Sequence, residues 1–143
     1  MYRLQAEDSF DAAHFLAGYE GKCRNIHGHR WRVIVEVQTE ELQESGQLRG
    51  MYVDFKQLKK DLKEITDRFD HTLVIESGSL KETTLEALRD EDFAIVEVSF
   101  RPTAENLSKY FYEQMEAAGY NVHEVTVYET PNNCARYVRN GDL

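Results

Sequence analysis

Three histidines set the chemistry open to this sequence. His27 and His29 stand two apart in "IHGHRW", and His14 falls in an earlier stretch that alternates in polarity. On a strand, residues two apart point the same way, their Cα atoms about 7 Å apart. Phe10, Ala12, His14 and Leu16 would share one face of the first strand. His27, His29, Trp31, Val33, Val35 and Val37 would share the apolar face of the second. All three imidazoles then point inward on consecutive strands. Three neutral imidazoles are the donor set of a catalytic zinc, with a fourth position left for water or substrate. A single inward histidine is more often a hydrogen-bonded core residue, and His-x-His alone says little. The convergence of three points to metal.

Cys23 lies four residues before His27. It reads as a fourth zinc ligand, as a reactive thiol beside the metal, or as inert packing. Lys22, Arg24 and a nearby dication would favour the thiolate. Cys134 has no such company and reads as packing. Asp70 and His71 follow an amphipathic helical pattern. A carboxylate and a helix end both favour an imidazolium, which suits a proton relay, but a helix-end cap explains the same pair. Glu105 falls in the first turn of another predicted helix, where the dipole favours an acid in any case. Glu129 ends the apolar row of Val125 and Val127, where a carboxylate needs a partner with parallel N–H donors. The 2-amino-4-oxo pyrimidine edge of a pterin or guanine offers that pair.

The elements that must position these groups are legible in part. Extended segments run from Tyr2 to Leu16 and from His27 onward, joined by a loop from Gly18 to Gly21. "ELQESGQLRGMYVDF" reads as hairpin and loop. Asp54 is placed to cap a helix with Phe55, Leu58, Leu62, Ile65 and Phe69 on its apolar side. From Thr72 to Asp92 no period stands out, and a short helix around Thr84 to Leu88 is compatible with the pattern. Residues 93–100, "FAIVEVSF", read as a strand. Thr103 can cap a second helix with Leu107, Tyr110, Phe111, Gln114 and Ala118 on one side, stopped by Gly119. "VHEVTVYE" and "CARYV" close the chain as strands. These elements predict an α+β fold, one domain over 1–143, with helices on one face of an antiparallel sheet.

Composition narrows the function classes. A net charge of -9 argues against gripping a phosphate backbone, which calls for a basic footprint. No apolar run approaches a membrane span, and "MYRLQAEDSF" lacks the layout of a signal peptide. With only two cysteines, a reducing cytoplasm is the expected compartment.

"FDAAHFL", "GKCRNIHGHRW", "FDH", "RPTAENLSKYFYE" and "VYETPNN", in that order from Phe10 to about Tyr137, together resemble the 6-pyruvoyltetrahydropterin synthase family. The resemblance is greatest to its bacterial 6-carboxytetrahydropterin synthase branch, which serves queuosine biosynthesis. It implies Zn2+ on His14, His27 and His29, with Cys23 as catalytic base. It implies Asp70 and His71 as a second catalytic group, Glu129 as pterin anchor and support of the relay, and Thr103 and Glu105 lining the same pocket. The implied substrate is 7,8-dihydroneopterin triphosphate, converted to 6-carboxytetrahydropterin with loss of acetaldehyde and triphosphate. Lys22, Arg24, Arg30 and Arg32 are all candidates to meet the triphosphate. The implied fold is the tunnelling fold, a four-stranded antiparallel sheet with two main helices on one face. Its subunits join into barrels and stack as a homohexamer with pockets between subunits. Rival readings are a 6-pyruvoyl product, an aldolase activity on dihydroneopterin, or a zinc-binding homologue without activity. Two features differ from the family pattern: Phe69 replaces the usual leucine before Asp70-His71, and the stretch from His71 to Pro102 is longer.

Overall fold

The computed structural model describes residues 1–139. Strands β1 (Tyr2–His14) and β2 (His27–Thr39) are the long antiparallel pair that alternation predicts, in unbroken register from Tyr2 opposite Thr39 to His14 opposite His27. Helix α1 (Phe55–Thr66) and strand β3 (Thr72–Glu76) follow, then helix α2 (Glu82–Asp90) and strand β4 (Ile95–Val98). Helix α3 (Ala104–Ala117) and strands β5 (Val122–Thr130) and β6 (Asn133–Val138) complete the described residues.

The sheet departs from the predicted one. It has six strands in the order β4-β3-β1-β2-β5-β6, and it is mixed rather than purely antiparallel. β1 pairs with β3 in parallel, and β3 with β4 in parallel. The stretch without visible period accounts for the difference. It contains β3 and α2, and a parallel pair needs a crossover connection, here through α2 to the predicted strand β4. β3 is buried on both faces, so "TLVIE" is a plain apolar run with no alternation to read.

Two apolar clusters hold the layers together. In the larger, Phe10, Trp31, Val33, Val35, Val37, Val125 and Val127 of the sheet meet Leu58 and Leu62 of α1 and Leu107, Phe111 and Met115 of α3. Val74 belongs to this cluster, whereas its neighbour Ile75 joins Phe15 and Leu85 in the smaller one. Adjacent strand residues point to opposite faces. Helix α2, where the sequence allows a short helix around Thr84 to Leu88, therefore covers the face opposite α1 and α3, and the three α-helices of the described residues flank both faces rather than one.

The caps fall where the sequence places them. Asp54 accepts from the Lys56 N–H at 2.8 Å, and Thr103 Oγ1 accepts from the Asn106 N–H at 3.1 Å. Gly119, at φ 102°, turns the chain out of α3 in the left-handed conformation that glycine adopts without strain. Several boundaries shift. β1 stops at His14, so Leu16 is off the strand and Phe15 is the buried residue there. α1 stops at Thr66, and a turn rather than the helix carries Phe69 into the core. Phe55 and Phe93 are each 60% exposed, outside the apolar face and strand predicted for them.

Candidate metal centre

The β1–β2 register places His14 beside His27 and one step from His29. The ring centroids of His14 lie 4.6 Å from those of His27 and 5.2 Å from those of His29, and His27 and His29 are 4.8 Å apart. Trp31 stands edge-on beneath His14 and His29. Two rings are keyed from behind: His14 Nδ1 donates to the Pro102 carbonyl at 2.7 Å, and His27 Nδ1 to the Asn25 carbonyl at 2.7 Å. A carbonyl can only accept, so both Nδ1 atoms carry a proton, and in the neutral imidazole it is Nε2 that holds the lone pair.

Those lone pairs converge. The three Nε2 atoms are buried, and among the described residues none makes a hydrogen bond of regular geometry. Unsatisfied buried nitrogen is costly unless something binds it. Glu129 closes the group, with Oε1 at 3.2 Å from both His14 Nε2 and His29 Nε2. The potential ligand atoms of His14, His27, His29 and Glu129 all lie within 4.8 Å of one another. Burial holds the His29 pKa below its ordinary value, against the pull of Glu129. The imidazole is therefore neutral and able to coordinate. His14 first, opposed by burial, then His29 and His27 hold the Glu129 carboxyl below its ordinary range. The residues present fit a divalent ion. Three imidazole nitrogens match catalytic zinc, although other divalent ions accept the same donors.

Asp70 and His71 stand in the turn before β3, and parallel pairing sets that turn beside Asp11. The Asp11 N–H donates to Asp70 Oδ1 at 2.9 Å, and the His71 N–H to the Asp11 carbonyl at 2.6 Å. Asp70 Oδ2 lies 3.1 Å from His71 Nδ1 and orients the ring, which is largely exposed. The Asp11 N–H, more than any other influence, keeps the Asp70 carboxyl below its ordinary value. His71 and His29 both border a shallow depression of about 380 Å³.

Cys23 is half-buried in a 3-10 turn, Lys22–Arg24, tied to the end of β1 by Leu16 N–H donating to the Cys23 carbonyl at 2.8 Å. Its sulfur does not belong to either group of converging ligand atoms among the described residues. Glu105 and Glu129 line one small pocket of about 250 Å³. Thr103 does not border that pocket; its hydroxyl oxygen caps α3.

The family model described as 6-pyruvoyl tetrahydropterin synthase matches residues 3–140. The chain belongs to that family. A 6-carboxy-5,6,7,8-tetrahydropterin synthase of Haemophilus influenzae is 32% identical, over 96% of this chain and 99% of its own. One from Synechocystis is 33% identical, over 96% and 93%. Among solved structures, an uncharacterized protein from Wolinella succinogenes superposes with a TM-score of 0.79 at 24% identity, covering 97% of this chain and 98% of that one. The 6-pyruvoyl tetrahydropterin synthase of Plasmodium vivax does so with 0.71 at 22%, over 97% and 98%. These last two show a shared fold.

For a 6-pyruvoyl tetrahydropterin synthase family member, two residues stand apart from the sequence reading. Asp11 escaped notice, yet it joins Asp70 and His71 in the second group of converging ligand atoms. The available signal was its place in register opposite Arg30, whose Nη1 donates to Asp11 Oδ2 at 3.1 Å. Cys134 is exposed rather than packed, and it borders the pocket of Glu105 and Glu129. It lies on β6, the strand that ends the sheet among the described residues.

Proposed function

We propose that this protein is a zinc-dependent 6-carboxy-5,6,7,8-tetrahydropterin synthase. It converts 7,8-dihydroneopterin triphosphate to 6-carboxytetrahydropterin, acetaldehyde and triphosphate on the route to queuosine. The observation that supports this most is the meeting of three unclaimed Nε2 lone pairs beside the Glu129 carboxylate. The names carried by the Haemophilus and Synechocystis relatives favour the carboxy product over the pyruvoyl one.

His14, His27 and His29 hold the zinc, which when bound supplies Lewis-acid polarisation to the hydroxyl oxygens of the substrate's side chain. The chain's own groups do the rest. Glu129 and Glu105 accept hydrogen bonds from the amino and ring N–H groups of the pterin. Cys23, as thiolate, takes a proton from a side-chain carbon. His71, held by Asp70, moves a proton on the other side of the side chain, and the ionised Asp70 steadies the imidazolium this creates.

The same proposal includes a cytoplasmic homohexamer whose pockets lie between subunits. Strands β4 and β6 end the sheet with one side of each unpaired among the described residues, and such edges suit pairing with other copies. The test is metal analysis of the purified protein with NMR of the products from dihydroneopterin triphosphate. Stoichiometric zinc, acetaldehyde and the carboxy pterin are the expected result. A pyruvoyl pterin, or cleavage of dihydroneopterin itself, would replace this assignment with another reaction. Bound zinc without turnover would reduce the protein to a metal binder.

A further inference from the structure

The loop that carries Cys23 runs between two metal-facing histidines, leaving β1 after His14 and entering β2 at His27. Phe15 and Ala17 pack on the smaller apolar cluster. Beyond Ala17 that support ends, and Tyr19 and Ile26 are exposed. The rest of the loop is closed by short-range backbone bonds. Leu16 N–H donates to the Cys23 carbonyl at 2.8 Å, Arg24 N–H to the Gly21 carbonyl at 3.2 Å, and Asn25 N–H to the Lys22 carbonyl at 3.0 Å. Exposed backbone bonds with little apolar packing open easily.

Arg101 supplies an anchor from outside. Its Nη2 donates to the Ala17 carbonyl at 2.8 Å, across 84 positions of sequence. Its guanidinium carbon lies 5.7 Å from the centroid of the Tyr19 ring, within cation–π reach. The Tyr19 ring in turn lies against Gly21, where a Cβ would meet its Cε1 at 2.8 Å. Gly21 directly precedes the Lys22–Arg24 turn. One half-buried guanidinium therefore grips the loop at two points, and the second leads through Tyr19 and Gly21 to the turn that holds Cys23. Arginine suits the task, since its planar fork donates in its plane and stacks on a ring by its face. Pro102, next in sequence, accepts from His14 Nδ1 with its carbonyl. Two adjacent residues thus fix a metal-facing imidazole and the loop that begins beside it.

We propose that Arg101 is a positioning residue for Cys23, clamping the loop over residues 15–26 so that the thiol keeps one orientation between His14 and His27. Its value to catalysis rests on the reading of Cys23 as the base. The clamp itself is tested without turnover.

The experiment compares the unaltered full-length protein with Arg101→Ala, Arg101→Lys and Tyr19→Ala, with metal content measured in each. Hydrogen exchange follows the Leu16 amide. Peptide mass spectrometry follows alkylation of Cys23 by iodoacetamide, with Cys134 as internal control. Arg101→Ala should raise both rates about tenfold, the loss of a charge-assisted bond, and leave Cys134 unaffected. Arg101→Lys should recover part of the protection, since it keeps a donor for the carbonyl without the planar fork. Tyr19→Ala should act in the same direction. Combined with Arg101→Ala it should add less than its separate effect, because both changes break one clamp. With dihydroneopterin triphosphate, Arg101→Ala should lower kcat by at least about tenfold at unchanged KM. Unaltered exchange and alkylation in Arg101→Ala overturn the proposal, and so does a loosened loop that turns over at the parent's kcat. No turnover by the unaltered protein would instead sink the enzymatic assignment, while the clamp stands or falls on exchange and alkylation.

Discussion

The His14 ring is keyed to Pro102 across 88 positions of sequence: its Nδ1 donates to the Pro102 carbonyl at 2.7 Å. Pro102 directly precedes Thr103, whose hydroxyl caps α3. The start of a helix therefore sets the tautomer and direction of a metal-facing nitrogen. Thr103→Ala removes the acceptor for the Asn106 N–H and should cost about 1 kcal/mol of stability. It should also loosen the carbonyl behind His14. The metal affinity then falls, though by less than the ten- to hundredfold, roughly, that follows direct loss of such a partner. Thermal unfolding and chelator competition measure the two effects. A destabilised variant with unaltered affinity would break the proposed link from cap to ring.

Cys23 and His27 are close in sequence, yet only His27 joins the converging ligand atoms. Metal and catalysis should therefore separate by mutation. Cys23→Ala should keep its zinc and lose turnover, whereas His27→Ala should lose zinc. Free zinc at a hundred times Kd should stabilise the parent and the Cys23 variant by about 2.7 kcal/mol, and the His27 variant far less. A Cys23 variant that comes out of purification without metal would mark the sulfur as a ligand.

How much of this was readable follows from where each signal lay. The long pair β1–β2 alternates strictly, and its register alone brings His14, His27 and His29 together. Both helix caps announced themselves through Asp54 and Thr103. Strand β3 did not, because burial on both faces erases the alternation that marks a strand. Without β3, neither the parallel half of the sheet, with the strand over residues 93–100 in it, nor the face that helix α2 covers could be placed. Asp11 was lost for the same reason: its role depends on the β1–β3 pairing that delivers Asp70 and His71 beside it. Cys134 shows the opposite error, since nothing in its neighbours distinguishes an exposed edge from packing.

Asp70 makes the acid limb of stability testable. Its carboxyl titrates below the ordinary value, because the Asp11 N–H and then His71 favour the ionised form. A carboxylate with a depressed pKa adds stability above its unfolded pKa, and loses it as pH falls through the lower folded value. Asp70→Asn keeps an oxygen for the Asp11 N–H but loses the charge. The parent should be the more stable protein above about pH 4, with the two curves converging as acid protonates Asp70. Thermal unfolding across pH 2 to 7, roughly, covers the window. Parallel curves would mean that the carboxylate charge adds nothing.

His71 sits at φ 59°, in the left-handed region that costs a residue with a side chain about 1–2 kcal/mol. Its N–H, donating to the Asp11 carbonyl at 2.6 Å, holds the backbone there and presents the imidazole to Asp70. Strain kept where a reactive side chain must point is characteristic of functional positions. Comparing His71→Ala with His71→Gly separates the ring from the backbone. Both should lose turnover, but alanine keeps the strained conformation and glycine relieves it. The glycine variant should therefore be the more stable of the two, by roughly 1 kcal/mol after its larger unfolded-state entropy is allowed for. Denaturant midpoints at equal m-value give the comparison directly. Equal stability would mean that the turn relaxes without its imidazole, and that His71 is placed by its contacts rather than by a strained backbone.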